Sequence, residues 1–103
     1  MNLFGKKSRA GLRVEIVIQG MLAGRYVSVV EVVEVPEGAD VRAALKRLHA
    51  QGTLDDEAYA VLRGVPTPLT LLVNGDHVGG RGREKRALAA GDHVTILVPV
   101  SGG

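Results

Sequence analysis

The chain has 103 residues, of which 46% are hydrophobic and 23% are charged, and none is cysteine. This length fits one domain with a single core and excludes a second domain or a deep internal catalytic cavity. The lack of cysteine excludes a disulfide framework, a thiolate metal site and a cysteine nucleophile.

The positive charge is concentrated near the N-terminus. The formal net charge is +2, and four cations precede the first acidic residue: Lys6, Lys7, Arg9 and Arg13. Because the chain has few aromatic residues on which bases could stack, we predict that the basic extension is solvated and does not bind nucleic acid. No apolar run forms a signal peptide or approaches the ~18 residues of a membrane span, so we expect a cytoplasmic protein without membrane contact.

The first predicted elements are two strands. Residues 13–19 alternate apolar and polar side chains, which is typical of a half-buried strand. Residues 20–24 predict a turn and the Val-rich stretch 25–35 predicts a second strand, so that the two form an antiparallel hairpin. The polar residues of the second strand fit no single phase, which predicts a bulge near residues 29–30.

Two helices are predicted next. Asp40 is placed as an N-cap, and apolar residues recur at i, i+3, i+4 and i+7 from Val41, which predicts a helix packed across the hairpin. Asp55 is placed as the cap of a shorter helix over residues 56–63, which the following glycine and prolines end.

The last third of the chain predicts short strands and turns. Asn74-Gly75 is a strong tight-turn signal because both residues accept positive φ. The predicted segments are a strand at 69–73, a brief edge strand at 76–78, a glycine- and arginine-rich surface loop at 79–86 and a final strand at 93–98.

This order of elements predicts an α+β domain. If the final strand lies beside the first and parallel to it, the fold is a ubiquitin-like β-grasp, with a mixed sheet of four to five strands, one main helix and one short helix. We assign residues 1–12 to a flexible basic N-terminal extension, 13–98 to the β-grasp domain and 99–103 to a flexible Gly-Gly tail.

Three stretches in the last third carry a likeness to a known family. They are Leu-Val-Asn-Gly at 72–75, Ala-Leu-Ala-Ala-Gly-Asp-His-Val at 87–94 and Pro-Val-Ser-Gly-Gly at 99–103. With these motifs the chain resembles the MoaD/ThiS-type ubiquitin-like sulfur carriers of molybdopterin and thiamin synthesis, and most nearly the small subunits of molybdopterin synthase.

The resemblance implies a carrier or cosubstrate rather than an enzyme by itself, or the small subunit of a molybdopterin synthase-type sulfurtransferase. An adenylating enzyme of the ubiquitin-activating type would join the Gly103 carboxylate to AMP from ATP. Sulfur from a persulfide donor protein would then replace AMP and leave a terminal thiocarboxylate. Gly102 would keep the tail slim enough to enter that enzyme. ATP is used by the partner, so no stably bound cofactor or metal is expected in this chain.

The resemblance also implies partner-binding positions and a further partner, the large subunit of molybdopterin synthase. Val17 and His77 match contact positions of the family, and strand parity turns Val17 and Leu97 away from the helix. The family commonly has an aromatic residue and two prolines where this chain has Leu-Val-Pro at 97–99. The predicted partner-binding residues are Val17, His77, Leu97, Val100 and Ser101.

Two other functions stay open. The same activated Gly103 would serve a ubiquitin-like modifier that is joined to lysines of other proteins. The alternative from another class is a β-grasp interaction module that binds RNA or protein through the basic run at 81–86. No hydrolase site is predicted, because the histidines lack metal-ligand spacing and no serine lies in a nucleophile-elbow sequence. The sulfur acceptor is also open: a molybdopterin precursor, a thiazole, a tRNA base or another metabolite.

Overall fold

The strands form a single mixed sheet that carries two helices. The computed structural model describes residues 11–63, 69–79, 82 and 85–99. The strands are β1 (Leu12–Leu22), β2 (Arg25–Val35), β3 (Thr70–Val73), β4 (Asp76–His77) and β5 (His93–Val98), and the helices are α1 (Val41–Ala50) and α2 (Asp56–Arg63).

The sheet has the strand order β2-β1-β5-β3-β4. β1 and β5 run parallel, and every other neighbouring pair is antiparallel. A parallel pair needs a long crossover connection, and here α1, α2 and the β3–β4 hairpin all lie between β1–β2 and β5 in the chain. The topology confirms the predicted α+β β-grasp fold, with five strands, one main helix and one short helix.

The first hairpin differs from its predicted form in two respects. β1 continues through Gly20, and the turn is only Ala23-Gly24, whose φ angles are 53° and 82°. The register runs without interruption along all 11 residue pairs of β1 and β2. The predicted bulge near residues 29–30 is therefore wrong, and the predicted turn at 20–24 is three residues too long.

The polar residues of β2 do not alternate regularly with apolar ones, because the sheet face opposite the helices carries valines at positions where polar residues are expected. Glu34 shares that face with Val30 and Val32, which are 62% and 51% exposed. Glu31 lies on the helix side instead, half-buried at the sheet edge, where Gln51 Nε2 donates to its carboxylate at 3.5 Å. A regular strand with apolar residues on both faces thus explains the pattern that predicted a bulge.

Side-chain caps fix the start of both helices. Asp40 accepts the N–H of Ala43 at 3.1 Å, and Asp55 accepts the N–H of Ala58 at 2.9 Å, as both predicted caps require. The predicted apolar stripe of α1 is buried. Its members are Val41, Ala44, Leu45 and Leu48, and the strands meet them with residues that include Ile16, Ile18, Leu71, Val94 and Ile96.

Several predictions concern residues outside the described part of the chain. These are the N-terminal extension up to residue 10, the tail from residue 100 and half of the loop at 79–86, namely residues 80, 81, 83 and 84. β1 begins at Leu12, the last residue of the predicted extension. Neither helix in the described ranges is long and apolar enough to span a membrane.

Candidate functional site

β5, the middle strand of the sheet, leads directly into the C-terminal tail. It ends at Val98, and Pro99 is the last residue that the structure describes. The described part of the candidate site is therefore this strand end and the sheet face around it. The predicted tail positions outside the described residues are Val100, Ser101, Gly102 and Gly103.

A glycine of β1 lies directly against the end of β5. Gly20 pairs with Val98 and has a φ of 139°, in a region that side chains rarely adopt. A Cβ at this position would overlap the Val98 carbonyl oxygen and lie 2.7 Å from the Val98 Cβ. Only glycine allows the two backbones to approach this closely, so Gly20 fixes the point from which the tail starts. Gly20 was predicted to lie in a turn; a glycine that interrupts an alternating strand pattern is the signal for a close backbone contact.

The register of the sheet aligns one residue from each strand in a row. Val30, Val17, Thr95, Leu72 and His77 follow one another as direct partners across β2, β1, β5, β3 and β4. Directly paired residues point to the same face, and this row lies opposite the buried face. The row spans about 19 Å, at ~4.8 Å per strand. The structure therefore brings the predicted positions Val17 and His77 to one sheet face, with two strands between them.

Leu97 lies on the same face, two residues closer to the tail than Thr95. It pairs with Gln19 and Thr70 and is 37% exposed. We define the open face as the surface formed by the five-strand row, by Leu97 and by the neighbouring residues Tyr26 and Val32. Val17, His77 and Leu97 were predicted from the sequence. Three further residues of this face were not predicted and are 51–62% exposed: Tyr26, Val30 and Val32.

The opposite end of β5 is held by two turns that bond to each other. Asn74 Nδ2 donates to Asp92 Oδ1 at 2.9 Å, and the N–H of His93 donates to Asn74 Oδ1 at 2.8 Å. The N–H of Asn74 also donates to the His93 carbonyl oxygen at 2.7 Å. The Asn-Gly and Gly-Asp turns, which carried the likeness noted in the sequence, are thus parts of one hydrogen-bonded unit.

This unit requires Asp92 as a carboxylate. The N–H of Ala89 donates to Asp92 Oδ2 at 2.8 Å, and this bond, followed by the bond from Asn74, holds the pKa of Asp92 below its ordinary value of 3.8. The charged form accepts both bonds and so stabilises the link between the two turns near neutral pH, beside the four residue pairs that set the register of β3 and β5. That register places Leu72 beside Thr95 on the open face.

The histidines form no metal site among the residues that the structure describes. His93 Nδ1 lies 2.7 Å from Glu15 Oε1, on the open face. His49 Nε2 lies 2.7 Å from Asp56 Oδ1, on the helix side, and its ring stacks on that of Tyr59 at a centroid distance of 4.3 Å. These histidines therefore make pairwise surface contacts rather than a ligand set.

Comparisons with known proteins agree with this architecture. A sequence profile of the ThiS family matches residues 22–103. The fold is similar to SAMP1 of Haloferax volcanii, at 23% sequence identity and a TM-score of 0.51, over 86% of this chain and 99% of that chain. It is also similar to the HVO 2177 protein of Haloferax volcanii, at 25% identity and a TM-score of 0.50, over 88% of each chain. None of the curated proteins matches the chain significantly.

Proposed function

The chain belongs to the ThiS family, and we propose that it is a sulfur carrier whose Gly103 becomes a thiocarboxylate for cofactor biosynthesis, with a molybdopterin precursor as the acceptor. The observation that carries this proposal is the family match, which covers residues 22–103 and so includes the terminal Gly-Gly. The bonded Asn74–Asp92 unit gives further support, because it makes structural sense of two of the three motifs of the likeness.

The chemistry begins with a carboxylate, which is a poor electrophile. In the proposed reaction, a Gly103 oxygen attacks the α-phosphorus of ATP on a partner adenylating enzyme, and pyrophosphate leaves. A persulfide of a donor protein then attacks the acyl carbon, and AMP leaves. A thiol then attacks the donor's sulfur in the resulting acyl disulfide; a disulfide forms between the thiol and the donor, the acyl S–S bond breaks, and a thiocarboxylate remains on Gly103. This chain has no cysteine, so both the persulfide and the thiol come from other molecules.

The open face supplies the surface through which the carrier would dock on its adenylating enzyme. Leu97 and Val17 are apolar, and Leu97 precedes the end of β5 by a single residue. Docking at this face would hold the end of β5, from which the tail starts, at a fixed distance from the enzyme's ATP site. A fixed distance favours adenylation, because the carboxylate must be positioned at the α-phosphorus. The same face is proposed to meet the large subunit of molybdopterin synthase.

The experiment compares the full chain with a variant that lacks Gly103, each incubated with the cognate adenylating enzyme. We expect ATP–pyrophosphate exchange with the full chain and none with the deletion variant, while the melting temperatures agree because terminal residues make few core contacts. Undiminished exchange by the deletion variant would contradict the proposal.

A second measurement separates the carrier from the alternatives. With the sulfur donor added, accurate mass and fragmentation should place an oxygen-to-sulfur exchange on Gly103 rather than an oxidation on Met1 or Met21. Transfer of that sulfur to a molybdopterin precursor requires the large subunit and would establish the acceptor. A ladder of conjugates to lysines, without a thiocarboxylate, would instead identify a protein modifier.

A further inference from the structure

β2 is an edge strand along its whole length, since β1 is its only partner in the described sheet. In a two-residue hairpin the residue pair that flanks the turn is hydrogen-bonded. Along the two strands, hydrogen-bonded pairs then alternate with pairs that are not hydrogen-bonded. Leu22 and Arg25 flank the turn, so the odd-numbered residues of β2 bond to β1. The residues whose N–H and C=O groups point to the free edge are Tyr26, Ser28, Val30, Val32 and Glu34.

This edge has little of the usual protection against pairing with another strand, and its charged residues are Arg25, Glu31 and Glu34. It is 11 residues long and contains no proline, glycine, lysine or bulge. Natural proteins commonly block exposed edges with such features, or with charges that point inward. The inward charge of β2, Glu31, already accepts a hydrogen bond from Gln51. The edge is therefore available to an added strand.

A groove lies beside this edge, on the helix side of the sheet. It has a volume of about 340 Å³ and is lined by Val35 and Pro36 from the end of β2 and by Ala43 and Ala50 of α1. In an added strand, alternate side chains would point toward this groove, and the others would extend the open face beside Val30 and Val32. The edge thus fits a strand that carries apolar residues on both faces.

The charges at the groove specify the rest of the ligand. Lys46 and Arg47 line it, both are exposed, and neither forms an ion pair with a described residue. Glu34 is the one acidic residue in the lining. The local excess of positive charge favours an acidic group on the incoming strand.

We propose that the β2 edge and this groove bind an extended apolar segment of another protein that is flanked by acidic residues, which adds to the sheet as a sixth strand. Two other occupants of the edge, the chain's own residues 1–10 and a second copy of the chain, fit the charges of the groove less well. Residues 1–10 carry three cations and no acid, and would meet Lys46 and Arg47 with like charge. An antiparallel pair of β2 strands from two copies would bring both α1 helices to the same sheet face and oppose their cations.

The probe is a peptide of four alternating valines and isoleucines followed by three aspartates, added to the full chain and followed by amide hydrogen exchange. We expect the edge-facing amides of Ser28, Val30 and Val32 to exchange rapidly in the free protein and to become protected with the peptide. Reversal of both cations, Lys46→Glu with Arg47→Glu, should weaken binding about tenfold. Arg63→Glu with Lys85→Glu is the matched control, because it changes the net charge equally at two exposed cations that do not line the groove, and it should leave binding unchanged.

Several results would overturn the inference. One is the absence of protection at millimolar peptide, and another is equal binding of a peptide with lysines in place of the aspartates. Edge-facing amides that are already protected in the free protein would show that the edge is occupied. Sedimentation equilibrium would then identify a second copy, and deletion of residues 1–10 would identify the chain's own segment. Peptide binding does not require Gly103, so the deletion variant should bind normally even if the sulfur-carrier proposal fails.

Discussion

Replacing Gly20 with alanine tests whether the close approach of β1 and β5 fixes the root of the tail. The new Cβ would overlap the Val98 carbonyl oxygen, so the backbone of β1 or β5 must shift. Overpacking of this kind costs typically ~1–3 kcal/mol. The φ of 139° adds roughly 1–2 kcal/mol for a residue with a side chain. We therefore expect Gly20→Ala to lower the free energy of unfolding by about 2–5 kcal/mol.

Gly24→Ala is the matched control on the same hairpin. Gly24 also has a positive φ, 82°, but an added Cβ would meet nothing within 4 Å. Gly24→Ala should lower the free energy of unfolding only by the cost of placing a side chain at positive φ, roughly 1–2 kcal/mol. The difference between the two variants, measured by urea unfolding followed by circular dichroism, isolates the contact with Val98. Equal losses in the two variants would refute the tight contact.

The functional part of this prediction concerns the tail. Under conditions where both variants are folded, Gly20→Ala should impair ATP–pyrophosphate exchange with the adenylating enzyme more than Gly24→Ala does, because a shifted Val98 misplaces the reacting carboxylate. If exchange by Gly20→Ala equals that of the control, the position of the strand end does not matter for activation.

Three further variants test the docking surface, the core and the turn unit. Leu97→Asp should weaken binding to the adenylating enzyme by at least tenfold in calorimetry, since it places a charge on an apolar contact; unchanged affinity with a native circular dichroism spectrum would exclude Leu97 from the interface. Leu48→Ala removes a fully buried side chain of α1 and should cost ~2–5 kcal/mol of unfolding free energy, and a smaller loss would mean that the core closes around the cavity. The lowered pKa of Asp92 means that its contribution to stability is present above pH 3.8, its ordinary value, and is lost as the pH falls through its folded pKa. Asp92→Asn should therefore destabilise the protein near neutral pH and flatten the fall in stability below pH 4, and an unchanged acid transition would contradict the assignment.

Much of the fold was predictable because local physics determines it. The alternation in β1, the apolar stripe of α1, the Asp40 cap and the Asn74-Gly75 turn each depend on residues within one element. The structure confirms all four. The same rules could not predict which residues of β2 face the helices, because Val30 and Val32 are apolar on the exposed face, where the rules expect polar residues.

The candidate site was predictable only where a motif or strand parity marked it. The terminal motif predicts Gly103 as a site residue, and this stays a prediction because Gly103 lies outside the described residues. Strand parity placed Val17 and Leu97 on one face, as the structure confirms. The contact between Gly20 and Val98 joins residues that are far apart in the chain. A glycine that interrupts an alternating pattern signals a close contact, but the pattern does not identify Val98 as the partner. The groove beside β2 depends likewise on how α1 crosses the strand, which follows from packing rather than from sequence spacing.

The parallel pairing of β1 and β5 has a mechanical consequence. The two strands run side by side over six register pairs, so the tail leaves β5 at the end opposite to the start of β1. Tension applied between the tail and the start of β1 acts along the strands and loads their hydrogen bonds in shear, all at once. Tension applied across the sheet, at the two-residue β4, would instead break bonds one after another. A partner that pulls on the tail while the start of β1 is held therefore works against all of these hydrogen bonds together.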